Sequence, residues 1–199
     1  MFKQLVVTSF VLANISCTSI LSKTIKDTPT VNQQAPEITN ANCPGNVDLP
    51  PELAGKLTPV NDTALLNSSI GKPNKGKLCQ GAVYQVKENT QINIFRAWNS
   101  TNPGSEMGSW WAHKKAEGPI ADYRKDYEIC FQWSPLDKLT HCQLKAGTKV
   151  VIGTGQSATC SPYLHYPTST QKQIFIQNTA DVVSNCRVYV AKFDWQISE

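Results

Sequence analysis

The chain has 199 residues, of which 40% are hydrophobic, and carries a formal net charge of +4. That hydrophobic fraction is enough for a folded core and excludes wholesale disorder. The Lys and Arg residues are scattered rather than clustered, so nothing indicates nucleic acid as a partner.

The N-terminus, MFKQLVVTSFVLANISC, has one early lysine, then an apolar run from Leu5 to Ala13 and small residues. The run is too short to span a bilayer and is typical of a secretory signal peptide, which we assign to residues 1–17. The alternative is a bacterial lipoprotein signal ending at Cys17, although Asn14 stands where such motifs usually carry leucine. We therefore expect a secreted or periplasmic protein that meets a membrane only if Cys17 carries a lipid.

Residues 18–77 are rich in Thr, Asn, Pro and Lys and show weak periodicity, which predicts a polar linker or N-terminal arm. Within it, only LPPELAGKL and DTALLNSSI suggest short helical turns. Three triplets match the N-glycosylation pattern, which matters only in a eukaryotic secretory route; they begin at Asn61, Asn67 and Asn99.

From residue 78 onward the chain consists of short β-branched and aromatic runs separated by Gly, Pro, Asn and Ser. The runs predicted as strands are GAVYQV, QINIFRAW, YEICFQW, TKVVIG, QIFIQN and CRVYVAKFDW. The segment GPIADYRKD is the best helix candidate. Residues 78–199 are thus predicted to form a compact, β-rich α+β domain that carries the functional site.

The cysteine count indicates how this domain is stabilised. Beyond Cys17 the chain has six cysteines, at positions 43, 79, 130, 142, 160 and 186. An even number in an exported chain indicates a disulfide framework, whose pairing the sequence does not reveal. No CxxC motif occurs and the three histidines are isolated, so no metal site is expected.

An arginine within the predicted strand QINIFRAW is the main puzzle of the sequence. Because strand side chains alternate between faces, Arg96 shares a face with Ile92, Ile94 and Trp98. A guanidinium among apolar side chains is costly without a partner such as a carboxylate or a phosphate. On this pattern alone, a buried ion pair with glutamate or an edge strand is somewhat favoured over a phosphate ligand.

The segment SEMGSWWA follows this strand and carries two adjacent tryptophans. Gly108 and Ser109 permit a tight turn, and neighbouring strand residues point to opposite faces. One indole of Trp110 and Trp111 can therefore pack in the core while the other lines a cleft. An exposed indole can stack on a flat cationic ring such as nicotinamide. The alternative is that both tryptophans belong to the core.

Further candidates follow later in the chain. Tyr123 and Arg124 precede a predicted strand, and a second arginine near Arg96 could clamp a diphosphate, although a solvated turn residue is the alternative. Gln173 stands at the start of QIFIQN, where its amide can bond a sugar hydroxyl. A polar outer strand face explains it as well.

Taken in order, these features resemble the ADP-ribosyltransferase-like superfamily, with the closest similarity to secreted NAD glycohydrolases of the tuberculosis-necrotizing-toxin type. The early strand arginine of the family is similar to Arg96, and its Ser-Glu-x-Gly-Ser/Thr-aromatic turn is similar to SEMGSWW. Later family segments resemble GPIADYR, VVIGTGQSA and PTSTQKQIFI. The loop before Glu106 is longer than in the family, and Gln171 competes with Gln173 for the catalytic position.

The resemblance implies a fold of mixed sheets around a cleft, with NAD as substrate and no cofactor. The implied catalytic residues are Gln173 and Arg96, and the implied substrate-binding residues are Arg124, Trp110, Trp111, Ser109 and Tyr123. Hydrolysis of the nicotinamide–ribose bond would make the protein an NAD glycohydrolase, and transfer to an acceptor would make it an ADP-ribosyltransferase. Either activity suits a toxin or effector with a protein acceptor, or with an immunity or delivery partner.

Two other classes of function stay open at this point. One is a non-catalytic, disulfide-stapled binding module or surface lipoprotein. The other is a glycan-active enzyme that pairs Glu106 or Glu128 with Asp126 in a groove lined by tryptophan. An NAD-consuming enzyme requires Arg96 and Gln173 in one cleft, whereas a binding module has no reason to bring them together.

Overall fold

The computed structural model describes residues 37–190. The strands are β1 (Glu37–Ile38), β2 (Leu57–Pro59), β3 (Leu78–Val86), β4 (Ile92–Trp98), β5 (Trp110–Ala112), β6 (Lys138–Leu144), β7 (Lys149–Gly155), β8 (Ala158–Ser161), β9 (Leu164–Tyr166), β10 (Lys172–Phe175) and β11 (Val183–Val190). The helices are α1 (Thr63–Ser69), α2 (Ile120–Asp126) and α3 (Thr179–Val182), with a 3-10 turn at Pro103–Ser105.

Antiparallel pairing organises these strands into one large sheet. Its nine strands run in the order β1-β3-β7-β10-β5-β4-β6-β11, with β2 also paired to β3. Strands β8 and β9 form a separate hairpin. All pairings between these strands are antiparallel. The β-rich character expected from the sequence is confirmed.

The central strands are buried on both faces, which explains their nearly continuous apolar sequences. On one face, Tyr84 and Ile152 belong to the larger apolar cluster, which also includes residues of β4, β6 and β10. On the other face, Val83 and Val151 pack in a smaller cluster together with Leu66 of α1. The alternation of β3 and β7 therefore supplies two apolar layers from the same strands.

The folded body begins earlier than the sequence predicts, because β1, β2 and α1, which lie between residues 37 and 77, pair with the sheet or pack against it. Strands β1 and β2 both pair with β3. Leu53 and Leu57 are buried in the larger cluster, and α1 is capped by the Asp62 side chain, which accepts an N–H from Leu65. These apolar residues sit in elements too short to show a period, which is why the segment was predicted as a polar arm. The signal peptide, Cys17 and residues 18–36 lie outside the described residues.

Most predicted elements are confirmed, including α2 over GPIADYRKD and β11 over the part of CRVYVAKFDW that ends at Val190. The strand predicted for YEICFQW is wrong, because residues 127–133 form turns. Glu128 has a left-handed φ of +49°, and the Trp133 N–H bonds to the Cys130 carbonyl. A residue at positive φ breaks the extended conformation that its β-branched and aromatic neighbours favour.

Three disulfides confirm the framework predicted from the cysteine count: Cys43–Cys79, Cys130–Cys160 and Cys142–Cys186. The first attaches the N-terminal loop to β3, the second attaches the 127–133 turn to β8, and the third joins β6 to β11. Disulfides persist in oxidising environments, which indicates an extracellular or comparably oxidising location. Between residues 37 and 190 there is no helix of sufficient length and apolarity to span a membrane.

Candidate active site

A cavity of about 280 Å³ lies where β4 and β5 separate. The two strands pair only at Phe95 and Ala112, whereas the opposite edge of β4 pairs with β6 along its whole length. The chemically functional side chains in the cavity wall include Lys75, Lys77, Arg96, Trp110, Tyr123, Glu128 and Gln173. Two distant parts of the chain, β4 and β10, thus contribute Arg96 and Gln173 to the same wall.

Arg96 is held by backbone carbonyls rather than by a carboxylate. Its Nε donates to the Ser105 oxygen and its Nη1 to the Trp110 oxygen, both at 2.7 Å. No carboxylate among residues 37–190 forms an ion pair with it. Burial lowers the pKa of Arg96, but a guanidinium remains protonated in proteins. Its positive charge therefore stays available to an anion in the cavity.

Gly108 allows the Arg96 guanidinium to lie against the backbone of the loop between β4 and β5. A Cβ added at Gly108 would lie 2.3 Å from the Arg96 Nη2 atom, closer than any non-bonded contact allows. The same added atom at Gly104, in the same loop, would have its nearest neighbour at 3.6 Å. The glycine in the motif SEMGSWW is thus explained by contact with the arginine.

Gln173 and Glu128 form a buried polar pair in the cavity wall. Gln173 is 6% exposed and Glu128 is 2% exposed. The Gln173 Nε2 atom donates to Glu128 Oε2 at 2.7 Å, whereas Glu128 Oε1 is buried without a hydrogen-bond partner among the described residues. A Cβ at Gly155 would lie 1.8 Å from Oε2, so glycine is required there too. The sequence suggests a role for Glu128 only in glycan cleavage, since nothing in its local pattern indicates a contact with Gln173.

The environment of Glu128 disfavours its ionised form. Burial raises the pKa of its carboxyl to about 8, and the hydrogen bond from the Gln173 amide, which favours the ionised form, offsets this only in part. The negative charge of Asp126 adds to the rise in pKa. A strongly perturbed carboxyl in a cavity wall is typical of functional sites.

The two tryptophans lie on opposite faces of the sheet. Trp111 is 2% exposed in the larger cluster, and its Nε1 donates to the Gly108 oxygen at 2.7 Å. Trp110 is half-buried and packs on Phe175 with ring centroids 4.9 Å apart. Both residues contact the cavity, but Trp110 keeps more of its ring accessible to a ligand. Tyr123 adds a third ring, and burial raises the pKa of its phenol.

Lys75 and Lys77 stand at the edge of the cavity, in a segment that the sequence predicted as part of the polar arm. Both are exposed. The loop that carries them turns sharply, with left-handed φ values at Asn74, Gly76 and Lys77. Trp133, which is 50% exposed, faces Gly76 across the cavity edge. The lysine-rich turn sequence KPNKGK is the one feature of the sequence from which a cationic group at this edge of the cavity could have been predicted.

Two predicted site residues, Arg124 and Ser109, are not brought into the cavity wall, and neither is Gln171, the alternative to Gln173. Arg124 instead donates to the Ile129 oxygen at 3.3 Å and to the Ser134 oxygen at 2.6 Å. The Ser109 oxygen accepts the Ile176 N–H, so Ser109 contributes to the connection between β5 and the end of β10. Gln171 likewise lies outside the wall, which favours Gln173 in the choice between the two glutamines.

The carboxylate pair required for glycan cleavage is not assembled. Glu106 accepts a hydrogen bond from the Thr140 hydroxyl at 3.3 Å, and neither Glu106 nor Asp126 lines the cavity. Glu128 is the one acidic side chain in the described cavity wall. No group of three or more His, Cys, Asp or Glu residues between positions 37 and 190 has the arrangement of a metal site.

No protein-family model, curated protein or solved structure matches this chain. What the protein does must therefore be inferred from the chemistry of its cavity.

Replacing Gly108 by alanine tests the packing of Arg96. We expect Gly108→Ala to lower the free energy of unfolding by roughly 1 to 3 kcal/mol, because the new methyl group overlaps the guanidinium. Gly104→Ala is the matched control and should change stability far less, since its methyl group has room. Urea denaturation of both variants gives the comparison. Equal stabilities would show that Arg96 does not occupy this position.

Replacing Glu128 by glutamine tests its burial. The unfolded carboxyl, with a pKa near 4.5, ionises before the folded one at about 8, so the wild type should lose stability as the pH rises from about 5 to 8. The loss is about 1.4 kcal/mol per unit of pKa difference. Glu128→Gln should lack this loss, whereas Asp122→Asn, which alters an exposed carboxylate, should retain it. Urea denaturation at pH 5, 7 and 9 measures the difference, and an identical loss in Glu128→Gln would contradict the burial of the carboxyl.

Proposed function

We propose that this protein consumes NAD by cleaving its nicotinamide–ribose bond, as an NAD glycohydrolase or an ADP-ribosyltransferase. The observation that carries the proposal is the presence of Arg96 and Gln173 in the wall of one cavity, together with Trp110. A module that only binds a ligand through aromatic rings requires neither polar residue. The cavity thus has the combination that we expect of an NAD-consuming enzyme, and this supports the proposal.

NAD has three chemical parts, and the cavity has a suitable partner for each. The flat, cationic nicotinamide ring matches the accessible face of Trp110. The diphosphate matches the charges of Arg96, Lys75 and Lys77, which attract phosphate oxygens. The ribose hydroxyls match the Gln173 amide. At about 280 Å³ the cavity is near the lower end of ligand pockets, which suits the nicotinamide riboside half, with the rest extending past the lysines.

The reaction requires little covalent chemistry from the protein. The C–N bond to nicotinamide breaks, its electron pair leaves with the nicotinamide nitrogen, and the ribose becomes an oxocarbenium-like cation. Water then adds to the ribose carbon and loses a proton, which gives ADP-ribose; an acceptor nucleophile in place of water gives ADP-ribosylation. Catalysis would come from positioning by Gln173 and from electrostatics around the diphosphate.

Membership of the ADP-ribosyltransferase-like superfamily is part of the same proposal. It is supported by the motif residues Arg96, Trp110, Tyr123 and Gln173, which share one cavity wall although they are distant in sequence. Lys75 and Lys77, which line the cavity, would take the diphosphate role that the resemblance implied for Arg124, which does not. The Lys77 ammonium also donates to the Ser68 oxygen at 2.9 Å, but its charge and its other N–H donors remain for a phosphate. The disulfides support an oxidising location, which agrees with the predicted signal peptide. A role as an exported toxin or effector, with a protein acceptor or an immunity or delivery partner, belongs to the same proposal.

A non-catalytic binding module or surface lipoprotein is the alternative. It is favoured by aromatic side chains exposed near the 127–133 turn. Phe131 is 60% exposed and Trp133 is 50% exposed, and Tyr163 on the hairpin between β8 and β9 is 98% exposed. Such rings are typical of surfaces that recognise a ligand or partner.

Gln173→Ala is expected to lower kcat for nicotinamide release from NAD by at least about tenfold, because the variant loses the amide that positions the ribose. Gln171→Ala is the matched control and should stay within about twofold of the wild type, since Gln171 lies outside the cavity wall. Chromatographic assay of nicotinamide measures both rates. Equal, full activity in the two variants would refute the role of Gln173.

Lys75→Ala combined with Lys77→Ala is expected to raise KM for NAD about tenfold, since two cations near the diphosphate are removed. KM for nicotinamide riboside, which has no diphosphate, should change less than twofold. Lys72→Ala is the control, because Lys72 lies in the same loop but outside the cavity wall. Steady-state kinetics with the two substrates gives the answer, and a parallel rise in both KM values would contradict a phosphate contact.

A further inference from the structure

The proposed reaction relies on Arg96 and Gln173 and leaves Glu128, the acidic residue of the described cavity wall, without a role. We infer that Glu128 is a positioning residue, which holds the Gln173 amide nitrogen and so keeps the Gln173 carbonyl oxygen facing the cavity to accept a sugar hydroxyl. The identity of that sugar as the nicotinamide-bearing ribose rests on the proposed function.

The hydrogen bonds of Gln173 define which end of its amide faces a ligand. Its Nε2 has two N–H groups; it bonds Glu128 Oε2 at 2.7 Å and Tyr127 O at 3.5 Å. Both partners are acceptors on the same turn. The Gln173 Oε1 atom has no hydrogen bond to any described residue and is not among the fully buried unsatisfied atoms. The amide therefore offers the cavity an acceptor, which suits a hydroxyl donor.

Several constraints fix Glu128 in this place. Its φ of +49° turns the chain sharply, and the Cys130–Cys160 disulfide ties the turn to β8. Arg124 bonds the carbonyls of Ile129 and Ser134 and so closes the turn from the helix side. The missing side chain of Gly155 provides the space that the carboxyl occupies. A carboxyl held from so many directions has a defined geometry relative to Gln173.

Protonation of Glu128 would release this orientation. An ionised carboxyl can only accept, so it bonds only the nitrogen of the amide; a protonated carboxyl can also donate to the amide oxygen, which allows the amide to rotate. The charged and titratable groups around Glu128 are Asp126 and Tyr127 on its own turn, and Arg96, Tyr123, Lys75 and Lys77 in the rest of the wall. Turnover should therefore rise with pH as Glu128 ionises.

Nuclear magnetic resonance tests the pairing without any substrate. The side-chain NH₂ signals of Gln173, assigned by their loss in Gln173→Ala, should shift as the pH rises from 6 to about 9 in the wild type and in the control Asp122→Asn. They should not shift in Glu128→Gln. An NH₂ signal that stays constant in the wild type, or that shifts equally in Glu128→Gln, would overturn the inference. The same spectra report whether each variant is folded.

Kinetics test the consequence for turnover of NAD over the same pH range, corrected for NAD breakdown without enzyme. In the wild type, kcat should rise severalfold as the pH increases. Glu128→Leu, which removes the acceptor, should lower kcat at least about tenfold while KM stays within about twofold of the wild-type value. Glu128→Gln, which can still accept the amide N–H, should recover most of that loss and lack the rise. A rise of kcat with pH that is retained in Glu128→Gln, or a wild-type kcat in Glu128→Leu, would overturn the inference.

Absence of turnover by the wild type would refute the proposed function, while the spectroscopic titration would still decide the role of Glu128.

Discussion

Where β4 and β5 separate, the carbonyl oxygens of Ser105 and Trp110 face the side chain of Arg96 rather than a neighbouring strand. The guanidinium, with its fork of donors, bonds both at 2.7 Å. Because its partners are neutral carbonyls, the positive charge is not cancelled, as it would be by a glutamate. The same contact that closes the loop between β4 and β5 thus leaves a cation beside the cavity. The glycine at position 108 depends on it, because any larger side chain would overlap the guanidinium.

The polar groups of the cavity are arranged by charge. Arg96, Lys75 and Lys77 supply positive charge, the lysines at the exposed edge, whereas Glu128 and Gln173 are buried in the wall. A ligand that places an anionic group near the lysines and a sugar near Gln173 would therefore meet complementary groups from the exposed edge to the buried wall. The buried carboxyl is costly, since its burial raises its pKa. Such costs are commonly borne at functional sites.

Local patterns in the sequence were enough to predict much of the sheet. Alternation predicted that Trp110 and Trp111 point to opposite faces, and β-branched runs predicted most strands, because both signals depend on neighbouring residues alone. The partners of Arg96 were not predictable, since backbone carbonyls leave no signature in the side-chain pattern. The turn at Glu128 was missed for a related reason: its positive φ is imposed by contacts with distant residues, while its neighbours resemble a strand.

The candidate site was predicted in part. Arg96, Trp110 and Gln173 were identified from their order in a resemblance, and the cavity brings them together. Arg124 resembled a phosphate ligand because no feature of the sequence reveals that an arginine in the last turn of a short helix bonds backbone carbonyls. Lys75 and Lys77 were overlooked because their segment lacks periodicity and so resembled a linker. Whether such a segment is a linker or part of the folded domain depends on long-range contacts, here the pairing of β1 and β2 with β3.

The most direct test of the central claim is to incubate the oxidised protein with NAD in water enriched in oxygen-18 and to identify the products by mass spectrometry. We predict free nicotinamide and, if the protein is a hydrolase, an equal amount of ADP-ribose with one heavy oxygen on the ribose. Nicotinamide release that depends on an added protein acceptor would identify the transferase. A folded protein that neither releases nicotinamide nor binds NAD would contradict the account.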